Sequence, residues 1–222
     1  MSAREEILGR IRVALTDVPA GEPATWDQLE DSDPAARYNR RGNLDGAAAA
    51  ALFAERCGEY RASITRAARG AAALRRAIDA ACARHAAESL VIPPDLPAEW
   101  RPRALSLAID EPPLSLRQIE RCGGALTGCA LAIAETGTIV LDGGTAQGRR
   151  VLTLLPDLHV CIVRESQIVA SVPEATERLA TSVRESGRPL TFISGPSATS
   201  DIELRRVEGV HGPRRLEVVI AP

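Results

Sequence analysis

The sequence predicts an α/β fold, a layered sheet of mixed parallel and antiparallel strands flanked by helices. Two observations carry this. The first half reads at helical period, and the second half breaks into short apolar runs stopped by Pro or Gly, with helical stretches between them. The chain of 222 residues is one such domain with room for a short appendage, and it can bury a core without disulfide or metal staples. We expect an N-terminal helix and extended arm over residues 1–45 and the α/β domain over residues 46–222.

The elements follow in order. Ser2-Ala-Arg-Glu5 is a capping-box pattern, and Ile7, Leu8, Ile11 and Leu15 follow at helical spacing. Residues 17–45 hold Pro19, Pro23, Pro34 and many acids, with Trp26 and Tyr38, and read as an arm lying over the domain. Asp45 can cap a helix through Ala47–Cys57. A further helix is expected at about residues 65–87, with Ile64, Ala68, Ala71, Leu74, Ile78 and Cys82 on one face. Ser89–Ile92 reads as a buried strand stopped by Pro93-Pro94, and Ala104–Ile109 as another stopped by Pro112-Pro113. Ser115–Gln118 looks like a capped short helix. Cys129–Ala134 and Thr138–Leu141 read as two strands about a tight Glu135-Thr-Gly137 connection. Val151–Leu155 and His159–Val163 continue the strand pattern. Glu174–Arg184 is a helix, with Pro173 near its start and Gly187 beyond its end. Leu190–Ile193 is a strand, Ser200–Glu203 opens a short helix, and Leu216–Ile220 is a last strand.

Composition excludes several function classes. Basic and acidic residues number 27 and 29, a net charge of −2, against the basic surplus of a nucleic-acid binder. Aromatic residues are 3% of the chain, too few for a base-stacking platform. There is no lysine, so all 27 basic residues are arginine. That removes a Walker A loop, Schiff-base catalysis and any lysine general base. Cys57, Cys82, Cys122, Cys129 and Cys161 show no C-x-x-C spacing, so no zinc ribbon, iron–sulfur or thioredoxin motif is visible. An odd cysteine count, no secretory signal and no apolar run of the ~18 residues that a membrane helix needs read as a soluble cytoplasmic protein.

Four segments carry candidate chemistry. Gly128–Asp142 strands Glu135, Thr136 and Thr138 between two apolar runs, with Gly137 free to turn. This is either a small-ligand site at a strand end or a plain hairpin turn. Gly143–Arg150 is a glycine-rich loop with Arg149 and Arg150, either an anion cradle or a hairpin tip; it is not a dinucleotide fingerprint, because it leads into a strand. Phe192–Glu203 runs a strand through Gly195, Pro196, Ser197, Thr199 and Ser200 into a helix start suited to a phosphate or carboxylate, where Asp201 and Glu203 either cap the helix or act on a ligand. His211, before Gly212-Pro213, can titrate near neutrality but reads first as structural, as does His159 in its strand, and His85 reads as a solvated residue on a helix face. No metal-ligand spacing is present. Ser197, His211 and Asp201 make a hydrolase set only on paper, since no G-x-S-x-G elbow supports it. The cysteines read as small core hydrophobes.

Taken together, G-C-A-L-A-I-A-E-T-G-T-I-V-L, G-R-R-V-L-T-L-L-P-D-L-H-V-C-I-V, F-I-S-G-P-S-A-T-S-D-I-E and V-E-G-V-H-G-P resemble the lactate-utilisation protein C family of LUD-domain proteins. They cover residues 128–213 in order. The resemblance implies a three-layer α/β/α fold similar to the NagB/RpiA/CoA-transferase-like group. It implies a part in L-lactate oxidation to pyruvate beside two iron–sulfur partner proteins, with no cofactor in this chain. The site it implies is Glu135, Thr136, Gly137 and Thr138 with Gly195, Pro196, Ser197, Thr199, Asp201 and Glu203, and with Arg149 and His211 at the edge. By fold-level analogy with CoA transferases Glu135 is the nucleophile candidate, and Asp201 is the second catalytic candidate. Three functions compete: an accessory subunit binding a partner or small anion, a stand-alone enzyme on a small carboxylate or sugar phosphate, and a pure interaction domain.

Overall fold

The computed structural model describes residues 3–14, 16, 42–199, 207–209 and 211–222, the residues 199, 207 and 208 through their backbone. The chain divides into two units, residues 1–39 and 40–222. In the first, α1 (Ala3–Ala14) leaves Ile7, Leu8, Ile11 and Val13 exposed and carries an Arg10–Glu6 pair at 2.8 Å. Ser2, most of the expected arm and the expected helix start at Ser200–Glu203 lie outside the described residues.

The second unit runs α2 (Gly46–Glu59), β1 (Ser63–Arg66), α3 (Ala71–Arg84), β2 (Ser89–Ile92), β3 (Ser106–Ile109), α4 (Leu116–Glu120), β4 (Gly124–Thr127), β5 (Leu131–Ile133), β6 (Thr138–Leu141), β7 (Leu158–Arg164), β8 (Ile168–Val169), α5 (Val172–Ser186), β9 (Thr191–Ile193), β10 (Ala198–Thr199), β11 (Val207–Glu208) and β12 (Arg215–Ala221). Local chemistry sets the helix ends. The Asp45 carboxylate accepts the Ala48 N–H at 2.7 Å, Ser115 and Gln118 form a capping box, and Gly187 closes α5 at φ 61°.

A six-stranded sheet forms the centre, all parallel, in the order β1–β12–β7–β4–β2–β3. Its inner strand β7 is buried from Leu158 to Val163, the continuous apolar run of a strand covered on both faces. α3 covers one face, setting Leu74, Ile78, Ala81 and Cys82 against Leu90, Leu126, Val160 and Val219. The opposite face carries α2 and a second sheet in the order β8–β5–β6–β9. There Phe53 and Cys57 pack between Cys161, Val163 and Val218 of the large sheet and Ala132, Ile139 and Ile168 of the small one. Burying a side chain such as Phe53 contributes about 2 kcal/mol. α5 closes the outside of the small sheet through Ala175 and Leu179. α4 and the turn at Arg150–Thr153 close over Val91 and Ala125 through Ile119 and Leu152. The result is the expected α/β layering around a mostly parallel sheet, with the small mixed sheet built into one outer layer.

Two local expectations change, and one strand goes unread in the sequence. The helix expected at 65–87 splits, because β-branched Ile64 and Thr65 pair with Val218 and Val219 of β12, and α3 begins only after Gly70 at φ 101°. Val151–Leu155 is a 3₁₀ turn rather than a strand, so the glycine-rich loop does not lead into a strand either. Local bonds hold the turn: the Thr153 hydroxyl donates to the Arg150 carbonyl at 3.2 Å and accepts from its guanidinium at 2.7 Å. β4 was hidden in the sequence by its small residues, which the sheet requires, since a Cβ on Gly124 would lie 3.1 Å from the Leu158 carbonyl oxygen.

Candidate functional site

Strand β6 ends in a turn at each side, and the two turns differ. Before it, Glu135-Thr-Gly-Thr138 folds tightly onto the last turn of α2. Gly137 stands at φ 57°, and a Cβ there would lie 2.7 Å from the Arg56 carbonyl carbon, so only glycine fits. The Cys57 thiol donates to the Gly137 carbonyl at 3.4 Å. The turn after β9 is held likewise: Gly195 has φ 86°, and its missing Cβ would lie 2.6 Å from that of Tyr60. The Thr138 hydroxyl joins the turns, 2.7 Å from that of Thr136 and 2.8 Å from that of Ser194. The structure thus brings the turn of Thr136, Gly137 and Thr138 to the turn of Ser194 and Gly195. Glu135 stands exposed, its N–H on the Ala170 carbonyl at 3.1 Å and its carboxylate without a hydrogen bond among the described residues. Asp201 and Glu203 lie outside those residues, and Thr199 is placed only as backbone in β10.

After β6, the loop from Asp142 to Arg149 is braced from within. One Asp142 oxygen accepts from the Gly144 N–H at 2.9 Å and the Gln147 amide at 2.7 Å, and the other accepts from the Ser182 hydroxyl at 2.8 Å. Burial opposes ionisation of Asp142, but these donors outweigh it and hold its carboxyl below the usual range. Asp95 accepts the Ala146 N–H at 2.8 Å, and Arg188 donates to the Gly143 carbonyl at 2.6 Å.

The adjacent arginines of this loop have opposite fates. Arg149 forms a two-pronged pair with the buried Asp110, Nε to Oδ2 and Nη2 to Oδ1, both at 2.7 Å. The guanidinium holds the Asp110 carboxyl below the usual carboxylate range. Arg150 donates to Thr153 Oγ1 at 2.7 Å and has no acidic partner among the described residues. Burial pushes its pKa down, though an arginine stays charged.

Two cavities meet at Arg150 and Thr153. The larger, about 520 Å³, opens beyond the C-terminal ends of β2 and β3 beside Asp95, Asp110 and the Gly143–Arg149 loop, the edge where parallel α/β sheets bind ligands. The smaller, about 240 Å³, lies between the sheets and is bordered by Arg150, Thr153, His159, Ser194, Gly195, Pro196, Ser197 and His211. No carboxylate is among its described lining residues. Ser197 uses its hydroxyl to accept the backbone N–H of His211 at 3.2 Å, a turn-bracing bond rather than contact with a catalytic imidazole.

His159 is 1% exposed, with Nε2 at 2.8 Å from Thr127 Oγ1. The Thr127 hydroxyl donates to the Gly128 carbonyl at 2.9 Å, so it accepts from His159, which assigns the proton to Nε2 and leaves Nδ1 basic. Burial, reinforced by the charge of Arg150, lowers its pKa to about 4. A neutral imidazole, a guanidinium and several hydroxyls around a small space can bind a carboxylate and accept a hydrogen bond from a neighbouring hydroxyl. Sequence reasoning named both arginines of the glycine-rich loop, set Arg149 at the edge of the site and left His159 structural. The exchange of Arg149 for Arg150 was not readable, because the deciding partner, Asp110, is 39 residues away. No group of three or more metal-ligating side chains occurs among the described residues, and no helix there is long and apolar enough to cross a membrane.

Comparison with known proteins adds to this geometry. Residues 51–221 match the family model of the LUD domain. A protein of Deinococcus radiodurans named lactate utilization protein C is 58% identical over 134 residues, 60% of this chain and 63% of the relative. One of Shouchella clausii with the same name is 37% identical over 101 residues, 45% of this chain and 44% of the relative. These matches span less than two thirds of either relative's length. The crystal structure of a DUF162 family protein from Deinococcus radiodurans superposes with a TM-score of 0.70 at 44% identity, covering 81% of this chain and 99% of that one.

Proposed function

This chain belongs to the LUD-domain family, and from that premise we propose that it serves L-lactate utilisation, the oxidation of L-lactate to pyruvate, by holding a small carboxylate in the cleft around Arg150. The observation that supports this is the uncompensated Arg150 guanidinium at the junction of two cavities, the smaller of which shows no carboxylate among its described lining. Arg150 takes the ligand carboxylate, Thr153 supports Arg150, and neutral His159 accepts a hydrogen bond from a hydroxyl. The arrangement suits a 2-hydroxy or 2-oxo acid. We assign the electron-transfer chemistry to cytoplasmic iron–sulfur partner proteins and no cofactor to this chain.

Calorimetric titration of the chain with L-lactate and pyruvate tests the binding step. We expect saturable binding that Arg150→Gln weakens by about tenfold or more, as loss of a charge-assisted pair should. Saturable binding that Arg150→Gln leaves unchanged overturns the assignment. Growth on L-lactate with this chain and its iron–sulfur partners tests the role itself; full growth without the chain sinks it.

A second reading rests on the exposed, unpartnered Glu135 carboxylate at a strand-end turn. In it the chain is a stand-alone CoA-transferase-like or isomerase-like enzyme, with Glu135 as nucleophile, Asp201 assisting, and Thr199, Glu203 and His211 binding a small carboxylate or sugar phosphate. Glu135→Gln and Asp201→Asn then abolish growth on lactate without unfolding the chain; parental growth of both removes this reading.

A further inference from the structure

A third hollow, about 550 Å³, lies across the Asp142–Gln147 loop from the larger cavity, and the proposed function does not use it. It opens just past the C-terminal ends of β4 and β7, beside Gly128 and Arg164. Three guanidinium groups border it, those of Arg164, Arg178 and Arg188. None has an acidic partner among the described residues: Arg178 reaches only the Ser166 carbonyl at 3.5 Å, and Arg188 the Gly143 carbonyl at 2.6 Å. Arg164 lies over the Trp100 indole, 5.1 Å from the ring centroid. The single carboxylate in the wall, Asp142, already accepts from Gly144, Gln147 and Ser182.

Three cations bordering one concavity repel one another, a bound anion relieves that repulsion, and a concave wall of net positive charge concentrates anions. A carboxylate carries one charge on two oxygens and satisfies one fork. A diphosphate carries several charges on many oxygens and can meet several forks at once. We propose that this hollow is a second binding site, for a ligand bearing a diphosphate group. Its volume exceeds what the phosphates alone fill, and the Arg164–Trp100 stack offers a planar surface to an attached ring.

The test is equilibrium binding of inorganic pyrophosphate and of ADP to the full chain, the two probes separating free diphosphate from a nucleotide. We expect saturable binding of at least one, weakened about tenfold by Arg178→Gln and by Arg164→Gln. Arg184→Gln, on the same helix but outside the lining, and Arg150→Gln should leave it unchanged. Tighter binding of ADP assigns the remaining space to the nucleoside, and equal binding assigns the site to the phosphates alone. Failure of both probes to saturate at millimolar concentration, or equal weakening by Arg184→Gln, overturns the proposal. Loss on Arg150→Gln also overturns it, by placing the anion in the cleft, and the lactate titration is read independently of all these outcomes.

Discussion

The two ends of β6 are built from similar residues and do different work. Both are turns of Gly, Thr and one acid. The Glu135–Thr138 end is pressed against α2 so closely that a methyl group does not fit. The Asp142–Arg150 end is braced by its own side chains and by Ser182, Asp95 and Arg188, and it walls cavities instead of filling one. Glycine therefore carries two meanings within a short stretch of chain: close packing at Gly137, and an open loop at Gly143, where a Cβ would meet only Arg188 at 3.7 Å. Which meaning applies depends on what lies opposite.

That contrast can be broken at four points. The largest effect is expected from Gly137→Ala, which combines a left-handed backbone with a Cβ 2.7 Å from backbone atoms of α2; a loss of about 4 kcal/mol is expected in urea unfolding. A loss below about 1 kcal/mol would mean that the turn is looser than it looks.

The next effect is a pH dependence. His159 has its pKa lowered from 6.5 to about 4, so the folded state resists a proton that the unfolded state accepts. Its contribution is complete above the unfolded value, falls as pH drops below 6.5, and is gone near 4, an amplitude of about 3 kcal/mol. His159→Gln should flatten stability over that interval, and an unchanged profile would assign the loss elsewhere.

Arg149→Gln and Arg150→Gln form the third and fourth points, best measured together. Removing Arg149 leaves the buried Asp110 without its cation and is expected to cost about 2 kcal/mol of stability, with carboxylate binding retained. In the parent the Asp110 contribution is present above the ordinary pKa of 3.8 and fades as pH falls below it; the variant should lose that acid-side dependence. Arg150→Gln should do the reverse, shifting stability by less than about 0.5 kcal/mol while weakening the carboxylate. If both variants behaved alike, the division between the neighbours would be wrong.

Much of this architecture was legible in the sequence. Ser115 with Gln118, Asp45, and Pro173 with Gly187 announce helix ends through bonds made within a few residues, and the Leu131–Leu141 hairpin follows from two apolar runs about a glycine. What was not legible depends on distant neighbours. β1 is a strand because β12 lies beside it, and β4 is one because small residues fit between β2 and β7. The cleft followed the same rule. Its hydroxyl-bearing turn at Ser194–Ser197 could be picked out, since small polar residues after a strand suit a ligand. Arg150 could be named only together with Arg149, and His159 could not be named at all, because their roles rest on Asp110 binding the other arginine and on Thr127 fixing the imidazole.

The position of β12 has a consequence for synthesis. It lies between β1 and β7, and its buried Glu217 accepts from Thr65 of β1, 152 residues earlier, and from Arg84 at the end of α3. Until residues 215–221 have left the ribosome, β1 has no strand to pair with, and β7 presents an open, mostly apolar edge. The helices and the hairpin can form as they emerge, but the sheet closes only afterwards, by insertion of its latest-made strand between β7 and the edge strand β1. The nascent chain thus carries an unpaired edge through most of translation, the state that chaperones recognise and that shortening the chain from this end would make permanent.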